Sequence, residues 1–254
     1  MIGYHGTAVT KDLVEMSPRR YVFLEHDLSP SGDPVMITVG ADDLRSFVVI
    51  RGRVEVRRLD KDTAEVTAYP HLTGWHAWGT AFGITSTGPE PAVVLEAGLD
   101  NVSAAGCFAD RLSPLSGYTV DKPWGHEIWY TQNGDRVPYA VKQIHMSAGS
   151  RSSLQSHQVK AETNYVVDGK VTVLNGALAP ARPAAIDVAA IPRTVHGPRT
   201  GWTSAPGILH RVIAETDYTS IEVSTPELDD VIRWADDTDR GHGRISAEHV
   251  RRPA

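Results

Sequence analysis

Short apolar or alternating runs recur along the chain and are parted by Gly, Pro, Asp or Asn: PVMITVG, SFVVIRGRVEVRRL, AVVLEAG, YAVKQIHM, NYVVDGKVTVL, GILHRVIAE and YTSIEVS. Alternation with a period of two sends successive side chains to opposite faces of a sheet, and breakers this frequent predict an all-β sandwich or barrel. Helical periodicity is rare. It is clearest where Leu228, Val231, Ile232 and Ala235 fall at i, i+3, i+4 and i+7 behind Ser224-Thr225-Pro226, which predicts a short C-terminal helix closing the fold.

The pattern also repeats. Laying Gly52 on Gly169 sets VVIRGRVEV over YVVDGKVTV, so that Val49, Ile50, Val54 and Val56 meet Val166, Val167, Val171 and Val173. Farther on, AVVLEAG around Glu96 resembles YTSIEVS around Glu222. Two tandem β domains are predicted, residues 1–115 and 116–254, joined through LSPLSGYTVDKPWG. The copies differ at informative places: Gln155, His157 and Glu162 fall opposite Thr38, Gly40 and Arg45, so only the second copy carries ligand types.

Composition narrows the partners. The 254 residues are 41% hydrophobic and 22% charged with a net charge of −6, so no basic excess points to nucleic acid. No apolar run is long enough to span a membrane, and Cys107, the single cysteine, excludes an internal disulfide. A cytoplasmic protein acting on a small molecule is expected. Exposed sheet edges allow a homodimer, unless the first domain covers that edge internally.

The chemistry concentrates in SRSSLQSHQVKAETNYVVDG. Residues two apart on a strand share a face, so Gln155 and His157 can enter one cavity, and Glu162 returns on the neighbouring strand. Imidazole nitrogen with amide and carboxylate oxygen suits a divalent ion of intermediate hardness. His210 in APGILHRVIAE is the best-placed fourth ligand, with His196 in IPRTVHGPRT as its rival. Trp75, Trp78, Trp124 and Trp129 read as core.

These residues resemble a known family. Gly149, Gln155, His157, Glu162 and Gly169 match the first cupin motif with Gln for its first His, and Gly207 with His210 matches the second. KPWGHEIWY, YAVKQIHM, SLQSH, AET, LHRV and DDVIRWADDTDR are similar to the cupin domain of type II mannose-6-phosphate isomerases. The resemblance implies a tandem double-stranded β-helix, a bicupin whose first half is degenerate and lacks metal ligands. It implies Gln155, His157, Glu162 and His210 as ligands to one divalent ion, zinc foremost, with manganese, iron, cobalt or nickel also suited. It places basic residues at Lys142, Arg151, Lys160 and Arg211. Arg151 and Lys160 are then expected to bind an anionic sugar or polyol, and Lys142, His196 and Arg211 to serve catalysis. The base is not fixed, since Glu162 is committed to the metal, Lys142 needs a depressed pKa to act as one, and His196 is a third candidate. The insertion GALAPARPAAIDVAAIPRTVHGPRTG departs from the family and is expected to remodel the substrate mouth. The expected function is isomerisation or epimerisation of a sugar phosphate or related polyol. Ferrous oxygenase chemistry and a non-catalytic sugar-phosphate-binding bicupin are the alternatives.

Overall fold

The protein is described from a computed structural model over residues 8–14, 16, 20–30, 32–59, 65–102, 110–131, 137–181, 186–249 and 252–253, so that Cys107 and residues 182–185 of the insertion lie outside the described residues. The chain forms two compact units, the first running to Leu115 apart from residues 15–18, which group with the second, and the second continuing from Ser116.

The first unit holds β1 (Ala8–Asp12), β2 (Val22–Leu28), β3 (Val35–Arg51), β4 (Val54–Arg58), β5 (Val66–Tyr69), β6 (Gly74–Ser86), β7 (Ala92–Leu99) and β8 (Leu112–Pro114). They pair in the order β1-β2-β7-β3-β6-β4-β5, with β8 on β6. Aromatic rings fill its interior: Trp75 stacks on Phe47 at 5.1 Å and meets Phe82 edge-on at 6.0 Å, all three fully buried.

The second unit holds β9 (Tyr118–Lys122), β10 (Gly125–Trp129), β11 (Ala140–Met146), β12 (Leu154–Ser156), β13 (Glu162–Asp168), β14 (Val171–Leu178), β15 (Arg193–His196), β16 (Gly201–Ser204), β17 (Ile208–Ala214), β18 (Tyr218–Ser224), β19 (Ile232–Ala235) and β20 (Arg252–Pro253). One sheet runs β16-β13-β18-β11-β10-β9-β20 and the other β15-β14-β17-β12-β19. Trp124, Ile144, Met146 and Val166 on the first sheet's side pack with Val171, Val173 and Ala214 of the second, so the two sheets share one core.

The sequence repeat has a structural counterpart. β7 pairs with β2 and β3 as β18 pairs with β11 and β13, and Phe47 opposes Glu96 as Asn164 opposes Glu222. Arg45 of the first unit therefore takes the place of Glu162.

The expected C-terminal helix is not formed; among the described residues there is no α-helix, and none long and apolar enough to cross a membrane. Ile232–Ala235 instead pairs with β12, covering a strand edge that would otherwise leave its backbone unpaired. Asp230 cannot be spared for a helix, because its carboxylate accepts the backbone N–H groups of Gln158, Val159 and Lys160 at 2.6–2.8 Å.

Gly52 and Gly169 both turn the chain with positive φ, +72° and +85°. A Cβ at Gly169 falls 2.1 Å from the Asp217 carbonyl oxygen, whereas at Gly52 the nearest atom is 3.2 Å away. Gly52→Ala should cost about 1–2 kcal/mol for the left-handed backbone alone, and Gly169→Ala distinctly more, as read by thermal unfolding of the two variants.

Candidate metal centre

Both sheets deliver side chains to one point. Gln155 and His210 oppose each other on β12 and β17, Glu162 opens β13 in the facing sheet, and His157 follows directly on the end of β12. Glu162 Oε1 lies 3.2 Å from His210 Nε2 and Oε2 lies 3.4 Å from His157 Nε2. Gln155 Nε2 is 3.2 Å from His210 Nε2. One donor atom each of His157, Glu162 and His210 falls within 4.8 Å of the other two, and all three residues are buried.

The donor set fits a cation. His157 Nδ1 donates to the Asp230 carbonyl and His210 Nδ1 to the Ile208 carbonyl at 3.1 Å, which turns both Nε2 lone pairs inward. His157 Nε2 is buried without a hydrogen-bond partner, the cost of which a bound ion would remove. Burial, and after it the Lys160 charge, lower the His157 pKa and favour the neutral ligand form. Burial works against ionising Glu162, yet the Lys160 charge beside it holds its carboxyl well below the usual range. Turning the Gln155 amide over presents its oxygen to the same point, completing an N₂O₂ set for a borderline dication.

Beyond Glu162 the wall carries charges of alternating sign. Lys160 Nζ lies 2.6 Å from Glu162 Oε2 and 3.4 Å from Glu222 Oε1, and Lys142 Nζ lies 3.3 Å from Glu222 and 2.9 Å from Glu127. Lys122 follows at 3.5 Å from Glu127, while Trp129 Nε1 donates to that carboxylate at 3.0 Å. Burial opposes both charges of the central pair. Lys122 and Lys142 nevertheless bring Glu127 down to about 2, and Glu127, Glu222 and Glu162 raise Lys142 above its ordinary value. Lys142 is thus a fixed cation, which corrects the expectation that it serves as a base through a depressed pKa.

Other expected residues lie elsewhere. His210 and Arg211 are neighbours on a strand and must face opposite ways; Arg211 turns from the cavity and donates to the Ala235 carbonyl at 2.9 Å. Arg151 is exposed on Asp237 at 2.6 Å. His196 sits at the end of β15 against the Trp202 ring, 5.1 Å away, and does not line the cavity. None of the described residues of the insertion lines it either; the rim comes from the C-terminal segment, with Leu228, Val231, Arg233, Arg240, Arg244 and His249. Sequence reasoning missed Glu127, Asn164, Tyr218 and Glu222, the last noted only as part of the repeat. The available signal was a polar residue at an inward position of an otherwise apolar strand, as in the alternation of GHEIW.

Because Glu127 titrates near 2 in the fold instead of near 4.5, it contributes stability that is present above about pH 4.5 and lost as pH falls toward 2. Glu127→Gln leaves Lys142 with one counter-charge fewer and should cost about 3–5 kcal/mol. It should also flatten the fall in stability over that acid range, as measured by urea midpoints at graded pH.

No family model matches the chain, and no curated protein matches its sequence. Solved structures do match. The oxalate decarboxylase of Lactobacillus farciminis, in its formate complex, aligns over 91% of this chain and 86% of its own with a TM-score of 0.60 and 10% identity. AerE from Microcystis aeruginosa aligns over 86% and 97% with a TM-score of 0.57 and 11% identity. Procruciferin, the 11S globulin of Brassica napus, aligns over 81% and 77% with a TM-score of 0.56 and 11% identity. The Bacillus subtilis oxalate decarboxylase, which has Mn(II) centres, aligns over 91% and 77% with a TM-score of 0.57 and 10% identity. These likenesses, with the two jelly-roll units, show that the chain has the tandem fold of the bicupins.

Proposed function

We propose that the second unit is a metal-dependent isomerase or epimerase of a small anionic hydroxy-carbonyl compound, a sugar phosphate or related polyol. The observation that carries this reading is the unpartnered His157 Nε2 within a buried His–Glu–His cluster, opening on the same cavity as Glu222, Lys142 and Lys160. That cavity has a volume of about 120 Å³, enough for a few carbons and their oxygens. A divalent ion held by Gln155, His157, Glu162 and His210 would supply Lewis acidity toward a carbonyl oxygen and its neighbouring hydroxyl.

Charge balance supports an anionic substrate. The wall sets Lys122, Lys142 and Lys160 against Glu127, Glu162 and Glu222, a sum of zero, so a dication adds two positive charges that a phosphate offsets. Lys122, Arg240 and Arg244 at the rim offer donors to it.

Glu222 is the base in this reading. Glu127 is bound to Lys142, Lys122 and Trp129 and is held near 2, too weakly basic for the task. Glu222 meets the two lysines through Oε1. Its carboxylate takes the proton from the carbon beside the carbonyl, the C–H electron pair forms the enediolate C=C and the carbonyl π pair moves onto its oxygen. For isomerisation the proton returns to the former carbonyl carbon while the hydroxyl proton passes to the former carbonyl oxygen, and for epimerisation it returns to the original carbon after the enediolate turns over. Lys142 and Lys160, both fixed cations, offset the charge that develops on the oxygens.

Metal-loaded protein incubated in deuterium oxide with hexose and pentose phosphates should place deuterium on the carbon next to the carbonyl. Glu222→Gln should slow this by about 100-fold or more with metal content unchanged. Absence of exchange across the set, or full exchange in the variant, contradicts the proposal.

A further inference from the structure

The sheet face that carries the charged row also carries neutral polar groups that neither the metal ligands nor the ion pairs engage. Asn164 and Tyr218 line the cavity from β13 and β18, on the inner face of the seven-stranded sheet where Asn164 opposes Glu222 and Tyr218 opposes Met146. Both are buried, with exposures of 3% and 1%. Asn164 Oδ1 is nevertheless without a hydrogen-bond partner among the described residues, and Tyr218 Oη and the neighbouring Ser220 Oγ on the same face have only each other. Leaving a buried polar atom unpaired costs about 1–3 kcal/mol, and folded proteins do so where a ligand or ordered water completes the bond. Phenylalanine and leucine would fill these places without that cost, so these polar atoms point to a ligand rather than to packing.

The chemistry of the atoms selects the ligand group. Asn164 Oδ1 accepts a hydrogen bond, and burial, only partly offset by Ser220, raises the Tyr218 pKa, so the phenol stays neutral and both donates and accepts. A hydrocarbon answers neither group, and a fully ionised carboxylate or phosphate can only accept, leaving the acceptor capacity of Asn164 and Tyr218 unused. An aliphatic hydroxyl answers both. Asn164 and Tyr218 share their sheet face with the charged row, Asn164 directly opposite Glu222, so charged and neutral polar groups meet one bound molecule side by side.

We propose that Asn164 and Tyr218 are specificity-determining residues that read the hydroxyl groups of the bound molecule, while the lysines and the metal ligands read its anionic and carbonyl ends. The assignment rests on reading this cavity as the substrate site, and is independent of whether the reaction there is an isomerisation.

The test compares two four-carbon phosphate monoesters that differ in hydroxyl content, D-erythritol 4-phosphate and n-butyl phosphate, titrated calorimetrically into the metal-loaded full chain. The intact protein should bind the polyol ester at least about tenfold more tightly, the worth of one or two net hydrogen bonds. Tyr218→Phe, which removes one oxygen and keeps the ring, and Asn164→Leu should each reduce that preference to about threefold or less. Metal content should be unchanged. Equal binding of the two esters by the intact protein, including no binding of either, overturns the assignment, as does a preference that survives in both variants. Failure of deuterium exchange with a preserved hydroxyl preference would remove the isomerase reading and leave this one standing.

Discussion

The pairing of buried charge is the constraint on which the second unit depends. An isolated ion in a protein interior is prohibitively costly, yet six carboxylate and ammonium groups lie along one wall of this barrel. They are tolerated because their signs alternate from Glu162 through Lys160, Glu222, Lys142 and Glu127 to Lys122, with each junction between 2.6 and 3.5 Å. A packed apolar wall would serve stability as well or better. The row therefore argues for function: it holds Glu127 and Glu162 as anions and Lys142 and Lys160 as cations, and places them with Glu222 around one small cavity.

The first unit builds the same scaffold around a different charge arrangement. Arg45 stands where Glu162 stands in the second unit, and its guanidinium binds Glu96 at 2.8 Å and Asp100, while His26 Nε2 meets Glu96 at 2.8 Å. The positive charge at that place is built into the chain. The Phe47, Trp75, Phe82 and Tyr69 rings then occupy the interior, and among the described residues no metal-binding cluster arises there. Aromatic rings thus fill the interior that the charged row lines in the second unit, and an arginine stands in place of the carboxylate.

Much of this was legible in the chain. Alternation and Gly-marked turns reveal strands, and the Gly52–Gly169 alignment pairs positions whose strand neighbours are equivalent in the two units. The ligand types at Gln155, His157, Glu162 and His210 stand out because polar residues interrupt apolar strands. Period two also separates His210 from Arg211, so only one of them can face inward. Other features depend on long-range contacts that no local pattern carries. His157 enters the site because Asp230, more than 70 positions away, receives its Nδ1 proton at the carbonyl and holds the following loop at the carboxylate. The apparent helix arises because Leu228 and Val231 line the cavity rim and Ile232 then begins an edge strand, a sequence of tertiary demands that imitates a 3.6-residue period. Glu127 and Glu222 acquire their meaning only from the lysines that β11 and the 158–160 loop bring beside them.

Elemental analysis of the purified protein, before and after incubation with zinc, manganese and cobalt, tests the metal centre most directly. The account predicts one divalent ion per chain, retained through gel filtration and lost when His157 and His210 are both replaced by alanine in a protein that remains folded. No bound ion after reconstitution, or full occupancy in the doubly substituted protein, would contradict it.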